Sequence, residues 1–388
     1  MTRLICSESA VMQSAEAIDK ESSVQFEHCR GRRESHKSSA LLPLFPFPAL
    51  GPPHRTSKHC PNDNAERRNS SRRPNADMSL NPQPNLDPSL PLFLSLFLPP
   101  IPHLTIHTSL TPSVTALIWL PNIKQANTSV ELSTLLSSPA GGSINFIQMP
   151  MTGIDDFLPL IHSTCEKITW SCAKGCCATL VAEHALALAL ALLRGLSKTG
   201  CMTASQVASL AGKSVVVVGN GGVGKQISRF LLPFGCQVTM ADSITTKAQL
   251  LQLLQKVRVV FIACPLTETT KGMFAGEALS AMRSDAVLIN VARGEIVNTG
   301  ALINAVKEGK LNAAGLDVLT FTQGKEGEKE KEELDKLVKE GKVLITPHAA
   351  IPHHMIEALL GERIRHNLEV LATGKGELMG VVDPNKGY

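Results

Sequence analysis

The stretch VVVVGNGGVGKQISRF, Val215 to Phe230, limits the possible folds more than any other part of the chain. Its glycines Gly219, Gly221 and Gly224 fit G-x-G-x-x-G, a dinucleotide-binding fingerprint. Gly219, four residues and then Gly224-Lys225 also fit a P-loop up to its last letter. The first pattern leads to hydride chemistry and the second to phosphoryl transfer. Context separates them. Val215 to Val218 is an unbroken β-branched run, the composition of a buried parallel strand, and Lys225 to Leu232 continues as a helix. A P-loop needs Ser or Thr after its lysine to hold magnesium, and this chain has Gln226. Downstream, Cys236 to Ala241 reads as a second strand ending at Asp242. A carboxylate there, about 20 residues past the glycines, is placed to bond ribose hydroxyls and to repel a 2′-phosphate. The pattern predicts a Rossmann unit that takes NAD in preference to NADP.

Composition sets the outer limits. The chain has 388 residues, 43% of them hydrophobic, enough for two domains with separate cores. A net charge of +4 is too weak to imply a nucleic-acid partner, and 4% aromatic content excludes base-stacking platforms. The ten cysteines are scattered and no signal peptide opens the chain, which points to free thiols in a reducing, cytoplasmic setting. Cys172, Cys176 and Cys177 form a local cluster without a second ligand pair, so no metal is expected and burial near a domain junction is.

From Met1 to about Asp77 the chain is rich in Ser, Pro, Arg and Asn and is expected to lack structure. Its five acidic residues from Glu8 to Glu27 argue against a transit peptide, and Met78 offers an alternative start. Leu90 to Pro102 is too short to span a bilayer and reads as a buried strand. Val114–Leu120, Ser143–Met149 and Lys167–Ser171 read as strands, with helices around Val130–Leu136 and Asp155–Ser163 between them. That alternation predicts a parallel α/β domain. Ala178 to Leu196 is a helix apolar on nearly every face, to be buried in a core or against a partner chain. His184 within it reads as structural.

Three later stretches add the chemistry: ACPLTETTKGMF, INVARGEIVNTGALINAVKEGKLNAAGLDV and LITPHAA. With the fingerprint and VAEHALALALALLR, in this order, they resemble the D-isomer-specific 2-hydroxyacid dehydrogenases from about Val114 to Tyr388. The resemblance implies a Rossmann-type, doubly wound cofactor domain at 178–347. It is inserted into a smaller flavodoxin-like α/β substrate domain at 90–177, to which 348–388 returns. It also implies a homodimer, contacting neither nucleic acid nor membrane. NAD would be held by Gly219, Gly221, Gly222, Val223, Gly224 and Asp242, and lined by Cys264, Pro265, Thr270, Ala292 and Asp317. Gly153 and Ile154 of MTGID would meet the substrate carboxylate.

Catalysis would fall to two residues. Arg293 of NVARG would hold a 2-oxo acid through a charge-assisted fork and polarise its carbonyl. His348 of TPH would give the new alkoxide its proton. The expected reaction is reduction of a small 2-oxo acid, of the glyoxylate or hydroxypyruvate kind, to the D-2-hydroxy acid. One departure opens an alternative. The family places a glutamate five residues after the aspartate matched by Asp317, paired with the histidine, and this chain has Thr322 there. Glu326 or Glu328 could swing into its place, or Gln323 could orient the ring without charge. Lys325 to Glu340 otherwise reads as a solvated helix with opposite charges at i,i+4. The alternative is a regulatory, corepressor-like NAD(H)-binding protein with little catalysis.

Overall fold

Val215 to Val218 form an inner strand of a six-stranded parallel sheet, one place in from its edge and buried on both faces. The computed structural model describes residues 76–80, 104–107, 110–119, 128–198 and 207–387. The extension before residue 76 and the run Leu90 to Pro102 lie outside the described residues.

A first sheet holds β1 (Ala76–Leu80), β2 (Leu104–His107), β3 (Ala116–Ile118), β4 (Phe146–Gln148) and β5 (Thr169–Ser171). Its order is β2-β1-β3-β4-β5 and every pairing is parallel, the flavodoxin-like arrangement. The last three strands fall within the windows expected for them. β1 does not: it takes in Ala76 and Asp77, expected to lack structure, and lies upstream of residue 90. Its backbone pairs with strands on both sides, so sheet context supplies what the short ADMSL segment lacks in propensity. Helices α1 (Thr128–Leu136) and α2 (Leu158–Thr164) accompany this sheet. Leu117, Ile147, Phe157, Ile161 and Trp170 belong to its core. The helix expected from Asp155 is split, a 3-10 turn at Asp155–Phe157 preceding α2, where Pro159 suits the first turn.

The chain then enters α3 (Ala178–Leu193) and the second sheet. Its strands are β6 (Ser214–Val218), β7 (Gln237–Ala241), β8 (Val259–Ile262), β9 (Val287–Asn290), β10 (Ala313–Leu316) and β11 (Val343–Ile345). Their order is β11-β10-β9-β8-β6-β7, again wholly parallel. Helices α4 (Gly222–Leu231), α5 (Lys247–Leu254), α6 (Gly276–Ala281), α7 (Thr299–Lys307) and α8 (Lys325–Lys339) cover it.

Strand alternation divides the apolar side chains between two layers. Val215, Val217, Val259, Phe261, Val287 and Ile289 pack with Ala185, Leu188 and Leu192 of α3 and with Ile227 and Leu231 of α4. Val216, Val218, Val260, Ile262 and Leu288 pack with Leu250, Leu254, Leu302, Leu334 and Leu337 on the other face. Each such side chain contributes about 1.5–3 kcal/mol by leaving water, which is why the strands read as continuous apolar runs. The helix α3 is therefore buried on one side only; Thr179, Glu183, Ala187 and Arg194 on its other side are exposed.

A last helix, α9 (His353–Thr373), returns to the first sheet. Its buried Asn367 donates to Gln148 Oε1 at 2.7 Å and Ser171 Oγ at 3.0 Å. Buried Arg363 donates to the carbonyls of Cys172 at 2.9 Å and Lys174 at 3.2 Å, clasping the segment that joins the two sheets. Cys172 and Cys177 are buried in that joint and both are free thiols. Among the described residues no metal-binding cluster is found, and no helix is long and apolar enough to cross a membrane. Both sheets belong to one unit within Asn75–Tyr388.

Candidate active site

The strand order reverses at β6, whose neighbours β7 and β8 lie on opposite sides of it. Ligands of open α/β sheets bind at such a point, beyond the carboxyl ends of the strands. Because all six strands are parallel, the loops after every one of them reach the same edge. That edge carries the glycines after β6, Asp242 after β7, Cys264 after β8, Arg293 after β9, Asp317 after β10 and His348 after β11.

The glycine loop turns in a backbone conformation that L residues resist, with Gly219 at φ 115°. A Cβ at Gly219 would press on the Ala263 carbonyl, and one at Gly224 would overlap the Gly219 carbonyl oxygen. Gly221 caps α4 and no side chain accepts from that helix end, while Gly222 and Val223 form its first turn. A Cβ at Gly221 would stand in open space. The N–H groups of α4 thus face an uncovered cradle fit for a pyrophosphate. Asp242 follows β7 and accepts from Ile244 N at 3.2 Å and Asn220 Nδ2 at 3.3 Å. These bonds fix its carboxylate beside the glycine loop, next to Asn220.

Cys264 is buried, and burial pushes its thiol up to about 11. The Thr270 hydroxyl donates to the Pro265 carbonyl at 2.7 Å and accepts from Thr267 N at 2.8 Å. Its side chain holds the turn after β8 in shape instead of facing outward. Ala292 is buried, its N–H bonded to Asn290 Oδ1 at 3.0 Å. Asn290 is fully buried and also donates to the Arg293 carbonyl at 2.8 Å, so one amide fixes the whole NVAR turn. Sequence reasoning missed it, although a polar residue closing the apolar strand VLIN is a visible signal.

Arg293 leaves this turn in extended conformation. Its Nη1 donates to the Ala292 carbonyl at 2.8 Å and its Nε to Asp155 Oδ2 at 3.1 Å, on the loop after β4. A Cβ at Gly153 would overlap Arg293 Nη2, so the guanidinium lies directly against the MTGID loop. Ile154 is buried and anchors that loop. The structure therefore brings Arg293, Gly153 and Ile154 together across the two sheets.

His348 has φ 53°, a left-handed conformation that costs a non-glycine residue about 1–2 kcal/mol. Asp317 holds the turn there. Its carbonyl accepts from His348 N at 3.0 Å, and its Oδ1 accepts from Ala349 N at 2.8 Å and Thr346 Oγ1 at 2.6 Å. His184 of α3 stands behind, with Nε2 3.3 Å from the same oxygen and 2.9 Å from Thr346 Oγ1. Burial pushes the Asp317 carboxyl up, but His184, Thr346 and the Ala349 N–H outweigh it and hold it at about 2. Asp317 thus supports the histidine backbone from below while the His348 side chain is exposed. Among the described residues no carboxylate forms an ion pair with that ring.

The position of the missing glutamate is occupied. Thr322 donates to Glu330 from its N–H at 2.8 Å and its hydroxyl at 3.0 Å. Glu326 and Glu328 are exposed in the first turn of α8, and Gln323 is exposed before it. The charged segment is the solvated helix expected, with its ion pair from Glu333 to Lys336 at i,i+3 and another from Glu333 to Lys307.

The fold and the glycine cradle define a dinucleotide-binding α/β protein. The family model for the D-isomer specific 2-hydroxyacid dehydrogenase NAD binding domain matches residues 186–350. An uncharacterised protein encoded beside proB in Corynebacterium melassecola is 30% identical over 267 residues, 63% of this chain and 84% of that protein. A glycerate dehydrogenase of Methylorubrum extorquens is 29% identical, covering 50% of this chain and 66% of its own length. A glyoxylate reductase of Korarchaeum cryptofilum is 32% identical, covering 43% and 51%. A solved D-isomer specific 2-hydroxyacid dehydrogenase of Xanthobacter autotrophicus Py2, in complex with NADPH and MES, has the same fold. Its TM-score is 0.62 at 19% identity, over 81% of this chain and 100% of that one. The chain belongs to the D-isomer specific 2-hydroxyacid dehydrogenases, a family of NAD-dependent oxidoreductases.

Proposed function

We propose that the protein interconverts a small 2-oxo acid and its D-2-hydroxy acid with NAD(H). The observation that carries this reading is the placement of Arg293, its Nη2 against Gly153 and its backbone on the edge that bears the glycine cradle. A guanidinium there can bind the carboxylate and carbonyl of a 2-oxo acid together. The glyoxylate reductase and glycerate dehydrogenase names of two relatives agree with a two- or three-carbon substrate.

The cradle residues Gly219, Gly221, Gly222, Val223 and Gly224 would hold the pyrophosphate, and Asp242 the ribose. A bound nicotinamide supplies or accepts the hydride. Arg293 withdraws electron density from the substrate carbonyl and holds its carboxylate. His348, exposed on its strained turn, delivers a proton from its ring to the new hydroxyl oxygen and takes it back in oxidation. Asp317 keeps that turn in place from beneath. In this reading 178–347 form the cofactor domain and 90–177 with 348–388 the substrate domain, to which β1 is added. The protein is read as a cytoplasmic homodimer joined through the exposed side of α3.

The test is NADH consumption with glyoxylate, hydroxypyruvate, pyruvate and longer 2-oxo acids, with the product resolved by chirality. Turnover to a D-2-hydroxy acid supports the reading. NADH binding without turnover on any of these acids points to a cofactor-sensing protein.

A further inference from the structure

We propose that Asp155 is a positioning residue that aims the Arg293 guanidinium across the boundary between the two sheets, an inference that rests on the functional reading above. Asp155 opens the 3-10 turn after β4, and its place is set by the buried neighbours Ile154 and Phe157. Arg293 comes from the opposite side, after β9. The two meet at 3.1 Å, Nε to Oδ2, with both side chains about a third exposed (29% and 33%).

The donors of the guanidinium are divided by these contacts. Of its five N–H groups, the one on Nε goes to Asp155 and one on Nη1 to the Ala292 carbonyl. The remaining Nη1 hydrogen and both Nη2 hydrogens make no described bond, and Nη2 lies beside Gly153. They form the terminal edge that a carboxylate or a 2-oxo group needs. An arginine held only at Nη1 could turn about its last torsions and present a different edge. Asp155 removes that freedom, and because it belongs to the other sheet it ties the aim of Arg293 to the closeness of the two halves. An ion pair this exposed adds little to stability. Its effect is expected in the aim of Arg293, and hence in turnover.

The experiment uses the full chain loaded with NADH, comparing wild type with Asp155→Ala and Asp155→Asn. Steady-state kinetics with glyoxylate and hydroxypyruvate, NADH affinity and affinity for oxamate, an unreactive 2-oxo carboxylate, are measured. Asp155→Ala should lower kcat/KM on the order of ten- to a hundredfold, the range of one charge-assisted hydrogen bond. Part of the loss should fall on kcat, with NADH affinity unchanged. Asp155→Asn should recover most of it, because its carbonyl oxygen still accepts from Nε. Asp155→Ala within twofold of wild type overturns the proposal, as does Asp155→Asn no better than Asp155→Ala. If Asp155→Ala no longer folds, Asp155→Asn decides: near-wild-type turnover supports the proposal and severe loss overturns it. If the wild type reduces no 2-oxo acid, the functional reading fails and oxamate affinity decides. A tenfold weakening in Asp155→Ala then supports the role of Asp155, and an unchanged affinity overturns it.

Discussion

Glu330 accepts two hydrogen bonds from Thr322, one from the backbone N–H at 2.8 Å and one from the hydroxyl at 3.0 Å. The residue standing where the family has its glutamate is thus held by a carboxylate from the helix beneath it. Restoring the glutamate alone should therefore fail. Thr322→Glu removes one of these bonds and sets two carboxylates against each other, so it should lower stability by about 1–2 kcal/mol. Adding Glu330→Gln should relieve much of that. Urea unfolding of both variants checks this. A more stable Thr322→Glu protein would show that the loop is free to move.

Asp317 gives an acid-side prediction. Its folded pKa of about 2 lies below the ordinary aspartate value near 4. A depressed carboxylate contributes stability that is present above the unfolded pKa and lost as pH falls through the folded one. Wild-type stability should therefore drop between about pH 4 and pH 2. Asp317→Asn should be less stable at neutral pH and flatter across that window. Parallel acid slopes for the two proteins would contradict the network of His184, Thr346 and Ala349.

The glycine cradle tolerates no Cβ at its third glycine. Gly224→Ala places a methyl against the Gly219 carbonyl, where backbone must shift. It should cost roughly 1–3 kcal/mol, as overpacking does, and weaken NADH binding at least tenfold. Gly221→Ala meets no atom and should fold normally. Thermal unfolding and NADH fluorescence titration separate the two. Equal behaviour of the variants would mean that the loop is looser than described.

Thiol reactivity should follow burial. Cys264 is buried with its thiol raised to about 11, whereas Cys165 is exposed. At pH 8 a maleimide should label Cys165 within minutes and leave Cys264 untouched until the protein is unfolded. Peptide mapping after a short pulse reads this, and early labelling of Cys264 would contradict the closed packing after β8.

The cofactor half was legible because its signals are local. A run of valines, three glycines and a strand ending in Asp242 lie within thirty residues, and each carries its own backbone constraint. The charged helix α8 was legible for the same reason. What escaped depends on partners distant in the chain. Asp155 meets Arg293 from 138 residues away, and His184 meets Thr346 from 162, distances at which spacing carries no information. Glu330 was passed over for Glu326 and Glu328, since no periodicity tells which acid of a charged helix turns back towards the loop. β1 was missed because its strand character comes from pairing on both sides.

The central claim is that Arg293 and His348 carry the reduction of a 2-oxo acid on an NADH-loaded chain. It is tested most directly by NADH oxidation with glyoxylate or hydroxypyruvate in the wild type, Arg293→Ala and His348→Ala, with NADH affinity measured in each. Turnover in the wild type, lost by at least a hundredfold in both variants at unchanged NADH affinity, is the predicted result. Turnover that persists in either variant would contradict the roles given to these residues, and NADH binding without any wild-type turnover would contradict the reaction itself.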